Sequence, residues 1–230
     1  MKISTETLNI LKNFSTINSS LVVKQGNTIR TISPAKNILA KFECPESFDN
    51  DFAVYDLNEF LGGLSLFKDP DFDFSDPSYL LINSGKSKVK YFFSDPSVIT
   101  APPEKDIVLP TVDLEFTLTE EVLSSLLRAA SVYQLPDLSL VGDGTEMNLV
   151  VRTKNNDTSN NFSVKVGDTD KNFSFNFKVE NLKIMPGVYN VQVSTANISQ
   201  FVHDKWNLSY LIALEPVSYT HLTLPTNREV

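Results

Sequence analysis

Four stretches of the chain carry the three-to-four-residue apolar spacing of an amphipathic helix. In the first, Leu8, Leu11, Phe14 and Ile17 fall on one side, while Asn9, Lys12, Asn13 and Thr16 fall on the other. The second opens at Asp56 with Glu59 three residues on, a capping-box-like start, and runs through LNEFLGGLSLF; Gly62-Gly63 weaken it and imply close packing. The third follows Thr117 and Thr119 as EEVLSSLLRAASVY, with Leu123, Leu126, Leu127 and Ala130 inward and Ser124, Ser125 and Arg128 outward. The fourth, VENLKIM over 179–185, is short and is stopped by Pro186-Gly187.

Between these stretches the period shortens towards two. SLVVKQ, NILAKFEC, FAVYDL, YLLINS and KVKYFF in the first half, and LEFTL, LSLVG, MNLVVRT, NFSVKV, FSFNFKV, VYNVQVS and LSYLIALE in the second, are β-branched or aromatic and partly alternating, as strands are. Turn signals separate them at Gln25-Gly26-Asn27, Asn83-Ser84-Gly85 and Asp143-Gly144. The order helix, strands, helix, strands occurs twice. Leu11-Lys12 superposes on Leu127-Arg128 at an offset of 116, and the second and fourth helices, starting near 57 and 180, repeat at 123. The seam is the proline-rich APPEKDIVLPTVD of 101–113. The expected fold class is α+β: a domain over 1–105, a connector over 106–113 and a similar domain over 114–216, each with two helices on one face of a mostly antiparallel sheet. SYTHLTLPTNREV at the end has neither period, and residues 217–230 read as a disordered, non-native tail.

Composition narrows the function classes. Of 230 residues, 41% are hydrophobic and 21% charged, a balance that folds. One cysteine, Cys44, excludes a disulfide within the chain and points to a reduced, cytosolic setting. Two histidines leave little for an imidazole metal site. No run reaches the roughly 18 apolar residues of a membrane span, and the start MKISTETLNI lacks the apolar core of a signal peptide. A net charge of −8 argues against a nucleic-acid binder unless the charge is segregated onto different faces.

Enzyme chemistry finds no foothold. The run Asp69, Asp71, Asp73, Asp76 mimics the start of a calcium loop, but Phe74 stands where the sixth-position glycine belongs and Leu80 where the bidentate glutamate belongs, so it reads as a solvated acidic loop. His203-Asp204 has no GxSxG, HExxH, GxGxxG or P-loop spacing to complete it, and His203 is expected in an exposed turn. Cys44, beside Pro45, lacks a paired histidine or basic cluster and reads as a packing or surface residue. No catalytic residue, metal site or cofactor is expected. What remains is the placement of cations: Lys12 and Arg128 on the polar faces of corresponding helices, with Lys183 on the fourth.

LKNFSTINS (11–19), YDLNEFLGGLSL (55–66), DPS (95–97), SLLR (125–128), FNF (175–177), LKIMPGVY (182–189) and ALE (213–215), in that order and spacing, resemble the sliding clamps, or DNA polymerase processivity factors, of T-even-type bacteriophages. The departures are the tail and Tyr91-Phe92, where that family leads one to expect a tryptophan at a subunit joint. The resemblance implies a DNA clamp fold, ring-forming, as a homotrimer with four helices per chain around a hole. It implies double-stranded DNA enclosed without sequence preference, with the replicative DNA polymerase, a clamp loader and late-transcription factors as further partners, in the cytoplasm of the infected bacterial host. A ring of three chains at −8 each can still carry a basic inner face.

On that resemblance Lys12 and Arg128 face phosphates, followed in rank by Lys183 and then by Lys2, Lys24, Lys68 and Lys154. Ile107, Val108, Leu109 and Pro110, with Ile212, Ala213 and Leu214 of the last strand, form an apolar pocket for short partner tails. Tyr91, Phe92 and Val164, on KVKYFF and NFSVKV, join subunits head to tail by pairing strand edges that would otherwise invite aggregation. A second reading stays open at this point: a β-rich phage structural or interaction protein with no DNA role, which has no reason to keep Lys12 and Arg128 on matching faces.

Overall fold

The computed structural model describes residues 1–156 and 158–216, so the tail assigned to 217–230 lies outside the described residues. Helix α1 (Thr5–Ile17) starts where the Ser4 hydroxyl accepts the Thr7 N–H, and it buries Ile10, Leu11, Phe14 and Ile17. There follow β1 (Leu21–Val23), β2 (Gly26–Ile32), β3 (Ile38–Phe48), β4 (Phe52–Val54), α2 (Leu57–Leu64), β5 (Asp71–Asp73), β6 (Tyr79–Ser84) and β7 (Ser87–Phe92). The second half runs through β8 (Leu114–Leu118), α3 (Glu120–Tyr133), β9 (Asp137–Asp143), β10 (Glu146–Arg152), β11 (Phe162–Asp168), β12 (Asn172–Lys178), β13 (Tyr189–Ser194), β14 (Ile198–His203) and β15 (Leu208–Ala213). The fold is α+β, and every strand pairing among the described residues is antiparallel.

The two halves repeat one topology. Strand order β4-β1-β2-β3 in the first is matched by β12-β9-β10-β11 in the second, and β5-β6-β7 is matched by β13-β14-β15. β8 flanks β13 as Met1 flanks β5: the terminal amine donates to the Phe72 carbonyl at 2.6 Å, and the Phe72 N–H returns a bond to the Met1 carbonyl at 2.8 Å. The halves meet where β3 pairs with β15, Leu39 opposite Leu211 and Ile38 opposite Ile212, giving one eight-stranded sheet. A continuous apolar core fills the space between the helices and the sheets, while a small separate cluster of Ile32, Leu39 and Leu211 lies on the opposite face.

Three expectations change. The fourth stretch forms no α-helix: only Val179–Asn181 makes a single 3-10 turn, with no side-chain cap, and Leu182 and Ile184 are buried on either side of exposed Lys183, an extended alternation. Seven residues bearing β-branched Val179 and Ile184 ahead of Pro186 do not nucleate a helix. The Gly62-Gly63 pair is not there for close packing, since a Cβ at either would meet no atom within 4 Å; the Gly62 and Gly63 carbonyls instead accept bonds from the turn that ends α2. β2, β5 and β14 also lie outside the predicted strands. Threonine, arginine, glutamine and aspartate interrupt them, and they are strands because neighbours on both sides pair with β2 and β14 and β6 pairs with β5.

Candidate functional site

Lys12 and Arg128 are exposed on α1 and α3, opposite the faces those helices bury. The segment carrying Lys183 is tied to α1, at the residue next to Lys12, by a half-buried polar relay. Asn13 donates its amide to the Lys183 carbonyl at 3.1 Å and accepts the Tyr210 hydroxyl at 2.7 Å; Tyr210 in turn accepts the Met185 N–H at 3.2 Å, and Tyr189 donates to the Met185 carbonyl at 2.6 Å. Burial raises the pKa of both tyrosines, so each remains a hydroxyl. A helix of the first half and an extended segment of the second thus present two cations on the helical side.

Three of the four lower-ranked lysines have carboxylate partners of their own. Lys2 pairs with Asp69 at 2.9 Å and Asp71 at 3.6 Å, tying down the acidic loop. Lys154 is half-buried, 3.9 Å from Glu215, with its backbone N–H on Asp137. Lys24 pairs with Asp51 at 2.8 Å and lines a cavity with Arg30 and Lys41 beside the connector, away from the helices, so its DNA-facing assignment is corrected. Lys68 is exposed in the segment between α2 and β5.

The connector crosses the face opposite the helices. There Leu109 packs on Ile32, Leu39 and Leu211 with Ile198, forming a small apolar patch over the β3–β15 seam, and the cavity lined by Arg30 and Lys41 opens under the upstream part of the connector, the two together making the groove beneath it. Its downstream end is pinned by Asp113, whose carboxylate accepts Thr195 N–H at 2.8 Å and the Thr111 hydroxyl at 2.9 Å, contacts that hold it below the usual carboxylate range. Ile107, Val108 and Pro110 are exposed, and so is Ala213 on the last strand. Ile212 and Leu214 do not belong to the groove: both point into the main core, because side chains alternate along β15 and Leu211, not Ile212, shares the connector's face. Ile32, Leu39, Leu211 and Ile198 were missed; strand alternation marks such residues but not which face is covered.

β7 ends the three-stranded sheet and β11 the four-stranded one, and each presents an edge that no other strand of the described chain pairs with. Val89 on β7 and Phe162 on β11 are 36% and 37% exposed, whereas Tyr210 and Ala40 on the paired edges β15 and β3 are 0%. Tyr91 is half-buried against Phe60, ring centres 5.1 Å apart, and Val164 is half-buried on the core side. Phe92 lies on the other face, 64% exposed, beside Lys90, whose Nζ sits 3.6 Å above the Tyr79 ring.

The residues weighed for chemistry are structural. Cys44 is buried and its thiol is pushed up to about 11, chiefly by burial, which keeps it protonated. His203 is buried, correcting the exposed-turn expectation: its Nδ1 accepts the N–H groups of Lys205 and Trp206 at 3.1 and 3.2 Å, and its ring stacks on Trp206 with centres 4.5 Å apart. Gly187, at φ +153°, lets the backbone pass, since a Cβ there would stand 2.2 Å from His203 Nε2.

Comparison with known proteins gives a consistent result. The family described as DNA polymerase processivity factor matches residues 4–100, and that described as gp45 sliding clamp, C terminal, matches 115–216. The chain is 32% identical over 222 residues to the sliding clamp of Vibrio phage KVP40, covering 94% of this chain and 99% of that one. It is 31% identical over 230 residues to the sliding clamp of Enterobacteria phage T4, with 96% and 99% covered. Among solved structures, A. fulgidus PCNA with the C-terminal region of FEN-1 bound superposes with a TM-score of 0.66 at 14% identity, over 92% of this chain and 95% of that chain. PCNA of Thermococcus kodakaraensis does so with 0.66 and 14%, over 91% and 96%.

Proposed function

Because the chain belongs to the sliding-clamp family of DNA polymerase processivity factors, we propose that it closes head to tail into a homotrimeric ring around duplex DNA. One observation carries this reading. The two halves repeat one topology, and they are joined inside the chain by β3 on β15; the elements that correspond to these in the other half are β11 and β7, each at an open end of its own sheet. Repeating the internal joint between copies therefore pairs β7 of one protomer with β11 of the next, and the half-exposed Val89, Tyr91, Phe162 and Val164 complete its core side. Phe92 stays on the outer face. An isologous pairing of β7 with β7 would leave β11 open, whereas a head-to-tail joint that closes leaves neither of these two edges unpaired.

In such a ring the helical side faces the hole. Each chain contributes three α-helices and the extended Lys183 segment, among the described residues, in place of four helices. Lys12, Lys183 and Arg128 supply phosphate attraction that reads no base, and the acidic remainder keeps the outside from competing. Lys2, Lys68 and Lys154 are secondary, being paired or peripheral. Enclosure holds the protein on DNA without tight contact, and a polymerase tethered to it meets the primer end repeatedly at high effective concentration. The protein acts as a processivity factor and not as a catalyst. The domains are 1–105 and 114–216, and the groove under the 106–113 connector receives tails of the replicative polymerase, with a clamp loader and late-transcription factors as further partners. The setting is the cytoplasm of the infected host.

Light scattering tests the ring at about 20 µM and about a hundredfold lower concentration, since assembly follows mass action. A species of about 77 kDa, three times 25.7 kDa, is expected at the higher concentration. A clean monomer at both, with or without residues 217–230, would overturn it in favour of a structural or interaction protein.

A further inference from the structure

The groove beneath the connector is not purely apolar. Beside its apolar patch, Arg30 and Lys41 stand directly opposite each other on β2 and β3, and both reach Asp106 of the connector. Lys41 donates to one carboxylate oxygen at 3.0 Å, and an Arg30 nitrogen lies 3.3 Å from the other. The second Nη of Arg30 donates to the carbonyls of Pro103 and Glu104 at 2.9 and 3.2 Å. Arg30 is only 17% exposed against 59% for Asp106, so the cations are set into the sheet and the carboxylate rides on a strap. Arg30 Nε and the Nη that faces Asp106 are shielded from solvent and make no hydrogen bond. Beside them opens a cavity of about 460 Å³, floored by Val22, Thr28, Arg30 and Lys41 and walled by Pro102 and Glu104. Downstream, Leu109 alone of the Ile107, Val108, Leu109 series is seated.

We propose that Asp106 is a resident placeholder, and that the groove selects partner tails carrying a carboxylate next to their apolar anchor, which displaces Asp106 from Arg30 and Lys41. The inference rests on reading the groove as the partner site. A tail with apolar residues alone would lift the strap and leave a shielded guanidinium unpaired, a costly state; an acidic tail replaces one carboxylate by another. The guanidinium fork has the free donors to take it in two-pronged geometry, which Asp106 does not satisfy. On a chain of net charge −8 this is a local site of opposite sign, facing the same groove as Ile32, Leu39 and Leu211. Glu43, 3.9 Å from Lys41, is the looser neighbouring acid.

The test uses two short fluorescein-labelled peptides with the same Leu-Phe anchor, one preceded by Asp and the other by Asn, titrated against the full chain by anisotropy. Both should bind, the Asp peptide about tenfold tighter at about 50 mM salt, with the preference largely screened at about 500 mM. Asp106→Asn should bind the Asp peptide several-fold more tightly than wild type, and Lys41→Gln should erase most of the preference. Asp106→Asn replaces an exposed strap residue and keeps the proposal testable should Lys41→Gln fold poorly. Equal affinities for the two peptides in the wild type overturn the carboxylate exchange and leave the apolar groove standing. Binding of neither overturns the groove as well.

Discussion

Tyr210→Phe removes one oxygen from the relay that ties the segment carrying Lys183 to α1. The Tyr210 side chain is fully buried, and its hydroxyl donates to Asn13 at 2.7 Å while accepting the Met185 N–H at 3.2 Å. Phenylalanine fills the same space, so no cavity term arises and the loss is polar. The bond to Asn13 is worth about 1 kcal/mol net, and Asn13, half-buried, recovers part of it from water. The Met185 N–H is more confined and adds about 1 kcal/mol or somewhat more for a donor left unpaired. The total is about 2 kcal/mol, which for a chain of this size lowers Tm by about 4–8 °C at fixed protein concentration. Urea unfolding followed by Trp206 fluorescence reads it directly, Trp206 being the one tryptophan. Asn13→Ala should cost a similar amount, and the double variant less than the sum by about 1 kcal/mol, since both single changes break one bond. Retention on DNA should weaken mildly, because both cations remain but their spacing loosens. Strict additivity, or a Tm within about 1 °C of wild type, would refute the claim that this relay joins the halves.

Replacing both helix cations, Lys12→Glu with Arg128→Glu, should shorten retention on DNA during synthesis, most visibly at lower salt, where the lost attraction is least screened; each lost phosphate contact takes about 0.9 from the salt slope. Unchanged clamp-dependent synthesis would remove the assignment. Val89→Asp places a carboxylate in the inter-copy joint and should turn the trimer into a 25.7 kDa species, while Lys88→Asp on the exposed face of the same strand should leave the assembly intact. A trimer that survives Val89→Asp would exclude that joint. Burial holds His203 below its ordinary 6.5, so its contribution to stability is complete above that value and is lost as pH falls through and below it. His203→Asn keeps an acceptor for the Lys205 and Trp206 N–H groups without titrating, and its acid melting curve should be flatter; identical acid losses would clear His203 of the effect.

Local pattern along the chain carries much of this architecture. α1, α2 and α3, most strands, the Pro-rich connector and the outward Lys12 and Arg128 follow from apolar period, caps and turn residues, each read within about a dozen positions. KVKYFF and NFSVKV are legible in the same way as strands, but that they lie at sheet edges comes from the family resemblance and from the strand order. The fourth stretch is not legible locally, because a short apolar run before Pro186 fits a helix and a buried extended segment alike, and the contacts of Leu182 and Ile184 with the core decide between them. Which face of β15 is core and which is groove depends on long-range packing. Alternation says that Leu211 and Ile212 point opposite ways, but only the pairing of β15 with β3 and the path of the connector put Leu211 under Leu109 and Ile212 inside. The same holds for Asp106 over Arg30 and Lys41, for Tyr210 on Asn13, and for His203 beneath Gly187. These contacts join residues far apart in the chain, and the energy that fixes them comes from burial and hydrogen bonding that exist only once the sheets have assembled.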